Sequence, residues 1–215
     1  GFSNTYGSGN TFVGTLAGNG NADGSYNTYL GDNAGRDISS GQRNTYLGSQ
    51  AGQLSASGSR NIFVGFNAGR QHNSGDNNIY IGYEAGNGHI TDPEDGINNV
   101  FIGTSSGTVN TTGEQNVFIG FESGLSNSEG HHNVFIGSSA ATNSTTGYDN
   151  VMIGANAGFN NNAGNANVFI GDRVGHGNTS GEKNVFIGRL AGYNNDDESN
   201  NIFIGYSVGG GDTSS

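Results

Sequence analysis

Apolar residues in this chain come in groups of three. Each triplet follows an Asn and precedes a Gly, and about a dozen mostly polar, Gly-rich residues separate one triplet from the next. The triplets are built mainly from β-branched and aromatic residues, as in "TFV", "IYI" and "VFI", a composition typical of strands. The pattern therefore predicts very short strands joined by turns.

The triplets recur at a fixed distance along the chain. Ten of the eleven intervals are 17 residues and one is 21, with copies starting at Asn10, Asn27, Asn44, Asn61, Asn78, Asn99, Asn116, Asn133, Asn150, Asn167, Asn184 and Asn201. A fixed short period is the signature of a solenoid, in which each repeat forms one coil. We therefore predict an all-β fold, a parallel β-solenoid (β-roll) of about twelve 17-residue coils. Residues 1–9 form a lead-in or partial coil, residues 10–209 the solenoid, and residues 210–215 a flexible tail.

Glycine and asparagine occupy fixed positions in each repeat, which we number from one at the Asn. Position five is Gly in all copies. Position nine is Gly except at Ala141, and position fifteen is Gly except at Glu198. Glycines at these places are expected to turn the chain at the corners of each coil. The Asn is expected to stack on its copies as an amide ladder. At ~3.3 Å per residue the perimeter is at most about 56 Å, which suits two short strands per coil.

The single 21-residue interval contains a four-residue insertion near residues 87–96, which is expected to form a protruding loop. Its carboxylates, Asp92, Glu94 and Asp95, are of the type that bind Ca²⁺. They lack the alternating spacing of a calcium loop, so a solvated loop is the preferred interpretation.

The two faces of each triplet are both apolar. Position three points to one face of the strand, and positions two and four point to the other. One set fills the roll, and the other forms a long outward stripe of a size that soluble monomers rarely expose. Position three is therefore a candidate for either the core stripe or a trimer interface: Phe12, Tyr29, Tyr46, Phe63, Tyr80, Phe101, Phe118, Phe135, Met152, Phe169, Phe186 and Phe203.

"NVFIGFESG" and its sibling repeats resemble the head repeats of trimeric autotransporter adhesins, and they are similar to repeats of bacteriophage tail-fibre shafts. The resemblance covers residues 10–209. It implies a left-handed roll, a homotrimer around a threefold axis, and an extracellular location at a cell, virion or injection-particle surface. The chain differs from the adhesin heads in its longer period and in its aromatic central residue.

Composition and side-chain placement narrow the choice of partner. Eighteen acidic residues against seven basic ones, a net charge of −11, argue against nucleic acid. No apolar run is long enough to insert in a membrane, and the absence of cysteine excludes thiolate metal sites. Aromatic residues recur at position six and are candidates for contact with a cell-surface glycan, or for caps between neighbouring rolls: Phe66, Tyr83, Phe121 and Tyr206. A protein receptor is the other partner that we consider.

Catalysis, cofactors and metals find little support in the sequence. No column of carboxylates repeats at position six, so we do not expect an enzyme or a cofactor. His131 and His132 are adjacent and could contribute to a metal site on a threefold axis. The other histidines occupy unrelated repeat positions, so an exposed turn is the preferred interpretation.

The sequence therefore favours a structural and adhesive fibre segment that presents variable polar loops at positions ten to fourteen. One alternative is a self-assembling extracellular filament, because open terminal coils can pair with other strands. Another is an ice-binding solenoid, which needs a long Thr ladder. Here the ladder has only three members, Thr11, Thr28 and Thr45.

Overall fold

The computed structural model describes residues 3–88 and 96–209, and in these ranges each coil contributes one three-residue strand. The strands form a single parallel sheet in sequence order. This confirms the all-β parallel solenoid predicted from the repeat. The strands are β1 (Thr11–Val13), β2 (Thr28–Leu30), β3 (Thr45–Leu47), β4 (Ile62–Val64), β5 (Ile79–Ile81), β6 (Val100–Ile102), β7 (Val117–Ile119), β8 (Val134–Ile136), β9 (Val151–Ile153), β10 (Val168–Ile170), β11 (Val185–Ile187) and β12 (Ile202–Ile204).

Equivalent positions of successive coils lie side by side. Phe12 pairs with Tyr29, and Tyr80 pairs with Phe101 across the 21-residue interval, so the insertion leaves the register intact. The loop carboxylates Asp92, Glu94 and Asp95, for which a solvated loop is preferred over a calcium site, lie outside the described residues. Residues 3–9 continue the stack at the other end, since the Thr5 N–H donates to the Ala22 carbonyl at 3.0 Å.

The far side of each coil is not the second strand that we expected. Residues at positions seven and nine have left-handed backbones, for example Asn33 and Gly35 with φ of 55°. That conformation cannot continue an extended strand. Backbone hydrogen bonds still join the coils there, as from the Gly35 N–H to the Ala51 carbonyl at 2.9 Å. The coil is therefore one strand closed by hydrogen-bonded turns.

Position five requires glycine for conformational reasons. All twelve of these glycines have φ between 123° and 143°, outside the regions that residues with a Cβ adopt. This corner directly follows the strand, so it ends every strand after the same three residues. The fixed strand length follows from this corner.

Position three lines the interior of the single chain. From Tyr29 to Phe186 these side chains are at most 1% exposed, whereas Phe12 and Phe203 at the two ends are partly buried. Neighbouring rings stack with centroids 4.7–4.9 Å apart and planes within 14° of parallel, except at Met152. Small side chains at position eight, such as Ala34 and Ala157, face the rings and leave room for them. The aromatic series therefore forms the core of the roll.

The side-chain amide of the Asn at position one forms hydrogen bonds with the backbone of the next coil and with the backbone of its own coil. The Oδ1 of Asn116 accepts the backbone N–H of Asn133 at 2.9 Å, and its Nδ2 donates to the Gly130 carbonyl at 2.8 Å. The same pair of bonds recurs at all eleven coil junctions. The ladder thus links side-chain oxygen to backbone N–H, whereas we expected stacked amides.

A second internal Asn column escaped the sequence analysis. The Asn side chains at position twelve point into the roll, and the Nδ2 of each donates to the carbonyl of position fifteen in the same coil. The asparagines of this column are Asn21, Asn110, Asn127, Asn161, Asn178 and Asn195. The coils of Tyr29 and Tyr46 carry Ile38 and Ser55 there instead. Burial raises the pKa of both tyrosine hydroxyls well above their usual range.

Two departures from the repeat lie next to each other in the core. A Cβ at position nine would meet the ring at position three of the same coil, as at Gly124, where it would lie 2.6 Å from Phe118. Ala141 carries such a Cβ in the coil of Phe135, so we expect that ring to have less room than its copies, although it stacks on Phe118 at the usual 4.7 Å. The next level holds Met152, whose flexible side chain can adapt to a crowded neighbour. We interpret the pair Ala141 and Met152 as mutually compensating.

Substituting Met152→Phe should therefore destabilise the chain by about 1–3 kcal/mol through overpacking. The same substitution combined with Ala141→Gly should be neutral or stabilising, because the Phe135 ring then has the room of the other coils. Urea unfolding of the two single variants and the double variant measures the coupling. Additive effects would contradict the interpretation.

Substituting Asn116→Ala should cost about 1–3 kcal/mol, because it leaves the buried N–H of Asn133 without its acceptor. Asn116→Asp should be at least as damaging, since it places a carboxylate against the Gly130 carbonyl. The exposed Asn143→Ala provides the matched control and should change the unfolding free energy little. Equal effects at the two sites would show that the position-one ladder contributes no special stability.

Candidate functional site

The outward face of the sheet is built from positions two and four. Both columns run without interruption from β1 to β12, and none of their side chains is charged. Exposure is greatest towards the ends, with Val13 at 54% and Ile204 at 65%. In the middle coils most of these side chains are half-buried, since each packs against its copies above and below. We call these two columns the outward face.

The outward face is large for a chain of this size. Twelve strands at ~4.8 Å span about 55 Å, and two columns about 7 Å apart give a width of about 10 Å with their side chains. The area is therefore on the order of 550 Å², near the upper end of the largest patches on single proteins. The first three coils contribute Thr11, Thr28 and Thr45 in register, and Ile62 follows them. The Thr ladder is thus only three residues long, as the sequence indicated.

The four position-six aromatics are all exposed but do not form one group. Phe66 and Tyr83 stack with centroids 5.6 Å apart and planes 19° from parallel. Phe121 lies two coils beyond Tyr83, and Tyr206 is at the far end, where the Arg189 guanidinium lies 5.8 Å from its ring centroid. Because the stacked pair covers one face of each ring, only its outer faces and edges can contact a sugar. The largest aromatic surface at this corner is therefore a two-ring patch.

A second aromatic column was missed in the sequence. Position ten carries Phe159, His176 and Tyr193 in successive coils, and their centroids are 5.2 and 5.0 Å apart. All three are half-buried. Partial burial lowers the pKa of His176, and the neighbouring Arg173 charge lowers it further. Alignment of position ten across the repeat would have revealed this column. We interpret it as stacking between coils that also presents ring edges to solvent.

The remaining candidate ligands are dispersed. His131 stacks on Tyr148 at 5.2 Å, and His132 Nδ1 lies 3.3 Å from the Asp149 Oδ1, both contacts joining successive coils. Across residues 3–88 and 96–209, no group of three or more His, Asp or Glu is arranged to hold a metal ion. The histidine contacts are thus explained by coil stacking.

The variable loops are less free than their composition suggested. Position twelve lies inside the roll, so Ile38 of "RDISS" and Asn195 of "YNNDD" are buried. Position fourteen is exposed in nearly every described coil, as at Asp197, whereas position thirteen is half-buried in most coils and exposed in others, as at Asp196. In each loop, therefore, the residue at position twelve serves the interior of the roll, and only the remaining loop positions are free to vary for recognition.

Comparison of the chain with family models, curated proteins and solved structures gave no match. The described part of the chain has no helix of the length and apolarity needed to cross a membrane. The fold itself defines the class as a parallel β-solenoid repeat protein.

His176 should titrate below the pKa of histidine in an unstructured peptide. The folded form then disfavours protonation, so stability is lost as pH falls below the ordinary histidine pKa of about 6.5. NMR titration of the imidazole measures the midpoint directly, and Arg173→Gln should raise it part of the way. A midpoint at or above the peptide value would contradict the proposed effect of burial and charge.

Proposed function

We propose that this chain is a segment of a trimeric extracellular fibre, of the adhesin-head or tail-fibre-shaft kind, that holds variable loops away from a surface. The observation that carries the proposal is the outward face: two uncharged, largely apolar columns along all twelve strands. In the proposed fibre, three rolls pack these faces around a common axis. Attachment to a cell-surface glycan or protein receptor is then a role of the loops and corners.

A copy of the same chain is the partner that fits the outward face best. Its side chains repeat at every coil, about 4.8 Å apart. Only a partner with the same period can match that spacing over the whole length, and another copy in parallel register does so automatically. Each roll would contribute on the order of 550 Å², about two thirds of the roughly 800 Å² that one partner buries in a standard specific interface.

The surfaces left outside such an assembly are polar and varied. Loop residues such as Asp37, Asp196 and Asp197 are exposed, and the Phe66–Tyr83 patch lies at a coil corner. These are the places from which a fibre would contact a receptor. The resemblance to adhesin and tail-fibre repeats supports an extracellular location for that contact.

Sedimentation equilibrium of the full chain should give a mass near 66 kDa, three times the 22.0 kDa of one chain. Ile119→Lys should shift the mass to that of a single chain, because three lysines would meet in an apolar interface. Ser138→Lys provides the matched control, since this exposed position-six residue lies off the outward face. Circular dichroism establishes that both variants keep the roll.

Other masses would identify the competing assemblies. A stable single chain would contradict the trimer and leave the outward face as a binding surface for ice or glycan. A mass twice that of one chain would contradict the threefold arrangement. A broad distribution of large species would favour the self-assembling filament.

A further inference from the structure

Much of the outward face is identical from one coil to the next. From β6 to β11 position two is Val and position four is Ile in every coil. We call the place of a coil along the axis its level. In this stretch a copy displaced by a whole number of coils, about 4.8 Å each, makes the same contacts as a copy at equal level. The Val and Ile columns therefore hold copies together without fixing their register.

Three threonines interrupt this uniformity. Thr11, Thr28 and Thr45 occupy position two of β1, β2 and β3 and pair in register, and Ile62 follows them in β4. Thr11 and Thr28 are exposed and Thr45 is half-buried, so the three lie on the surface that the proposed trimer covers. Position two is Val or Ile in every strand from β4 to β12. The boundary between Thr45 and Ile62 thus distinguishes one level from all others.

A hydroxyl and a hydrocarbon behave differently when a second copy covers them. At equal levels the threonines of three copies meet, and their hydroxyls can bond to one another or to water held between them. A copy displaced by one coil instead brings Thr45 level with Ile62 of a neighbouring copy. The hydroxyl then loses its partners in an apolar contact, a cost that displacement among the Val and Ile levels does not carry. A single polar position fixes the register of some coiled coils in the same way.

We propose that Thr11, Thr28 and Thr45 are specificity determinants that hold the three copies of the fibre at equal levels. The proposal rests on the threefold packing proposed above, and it adds the level at which each copy binds the others. Equal levels bring corresponding loops of the three chains to the same height along the fibre. A receptor then meets three identical contacts at one level, which strengthens attachment through multivalency.

The test detects displacement between copies with pairs of introduced thiols. One chain carries Ile119→Cys in β7, and a second chain, with a short tag that changes its mobility, carries Ile153→Cys in β9. These strands lie two coils apart, about 9.6 Å along the axis, which is too far for a disulfide between copies at equal levels. The two chains are refolded together and mildly oxidised. Mixed pairs in denaturing electrophoresis then report a displacement of two coils.

With threonine at all three positions, disulfides should form almost only between like thiols. The triple variant Thr11→Val/Thr28→Val/Thr45→Val should give about tenfold more mixed pairs, because one buried hydroxyl without a partner shifts an equilibrium by that order. Thr104→Val provides the matched control, since this exposed threonine at position six lies off the outward face. It should leave the proportion of mixed pairs unchanged. Circular dichroism establishes that each variant keeps the roll.

Mixed pairs that are equally frequent with threonine and with valine would overturn the proposal, whether they are rare or common. Sedimentation equilibrium separates that result from failure of the proposed function. The mass of the original chain and of the triple variant should both be near 66 kDa, three times 22.0 kDa. A lower mass for the triple variant alone would also overturn the proposal, because valine should preserve the contact. A single-chain mass for the original chain, with no pairs of either kind, would contradict the fibre itself and the register proposal with it.

Discussion

The close approach of the same backbone position on successive coils is the constraint from which the rest of this structure follows. Parallel strands lie about 4.8 Å apart, and a solenoid imposes that spacing on the turns as well. At Gly181 an added Cβ would lie 2.5 Å from the next carbonyl oxygen, so the corner excludes side chains. The same spacing lets the core rings stack at 4.7–4.9 Å, and it lets each Asn side chain reach the backbone of the following coil.

This constraint explains how far the sequence could predict the fold. The 17-residue period, the three-residue strands and the glycine corners all result from repetition, and repetition is visible in one sequence. The sequence did not show whether the position-three aromatics form the core or an interface, because both faces of the triplet are apolar. The structure decides it through the partners of Phe118 and its copies: small residues at position eight lie opposite the rings.

The features that the sequence analysis missed are those in which polar residues serve the interior. Asn161 and its copies at position twelve fall in a stretch that looks like a surface loop, yet they are buried and bonded to the position-fifteen carbonyl. The absent second strand has a similar origin. Its residues look ordinary in the sequence, but left-handed residues such as Asn33 turn the chain there. The Phe159–His176–Tyr193 column was missed because it covers three coils only.

Coil spacing leaves a long, largely apolar surface on the described part of the chain. Because the aromatic ladder fills the roll, Val117 and Ile119 with their copies are left on the outward face. The chain contains no cysteine, so one introduced thiol reports on one place without interference. The most direct measurement is mild oxidation of an Ile119→Cys chain, followed by denaturing electrophoresis. Packing of outward faces in parallel register predicts disulfide-linked pairs joined through the introduced thiols of two copies, and slow maleimide labelling of the reduced thiol. A thiol that labels at the rate of an unstructured cysteine and forms no pairs would contradict the account.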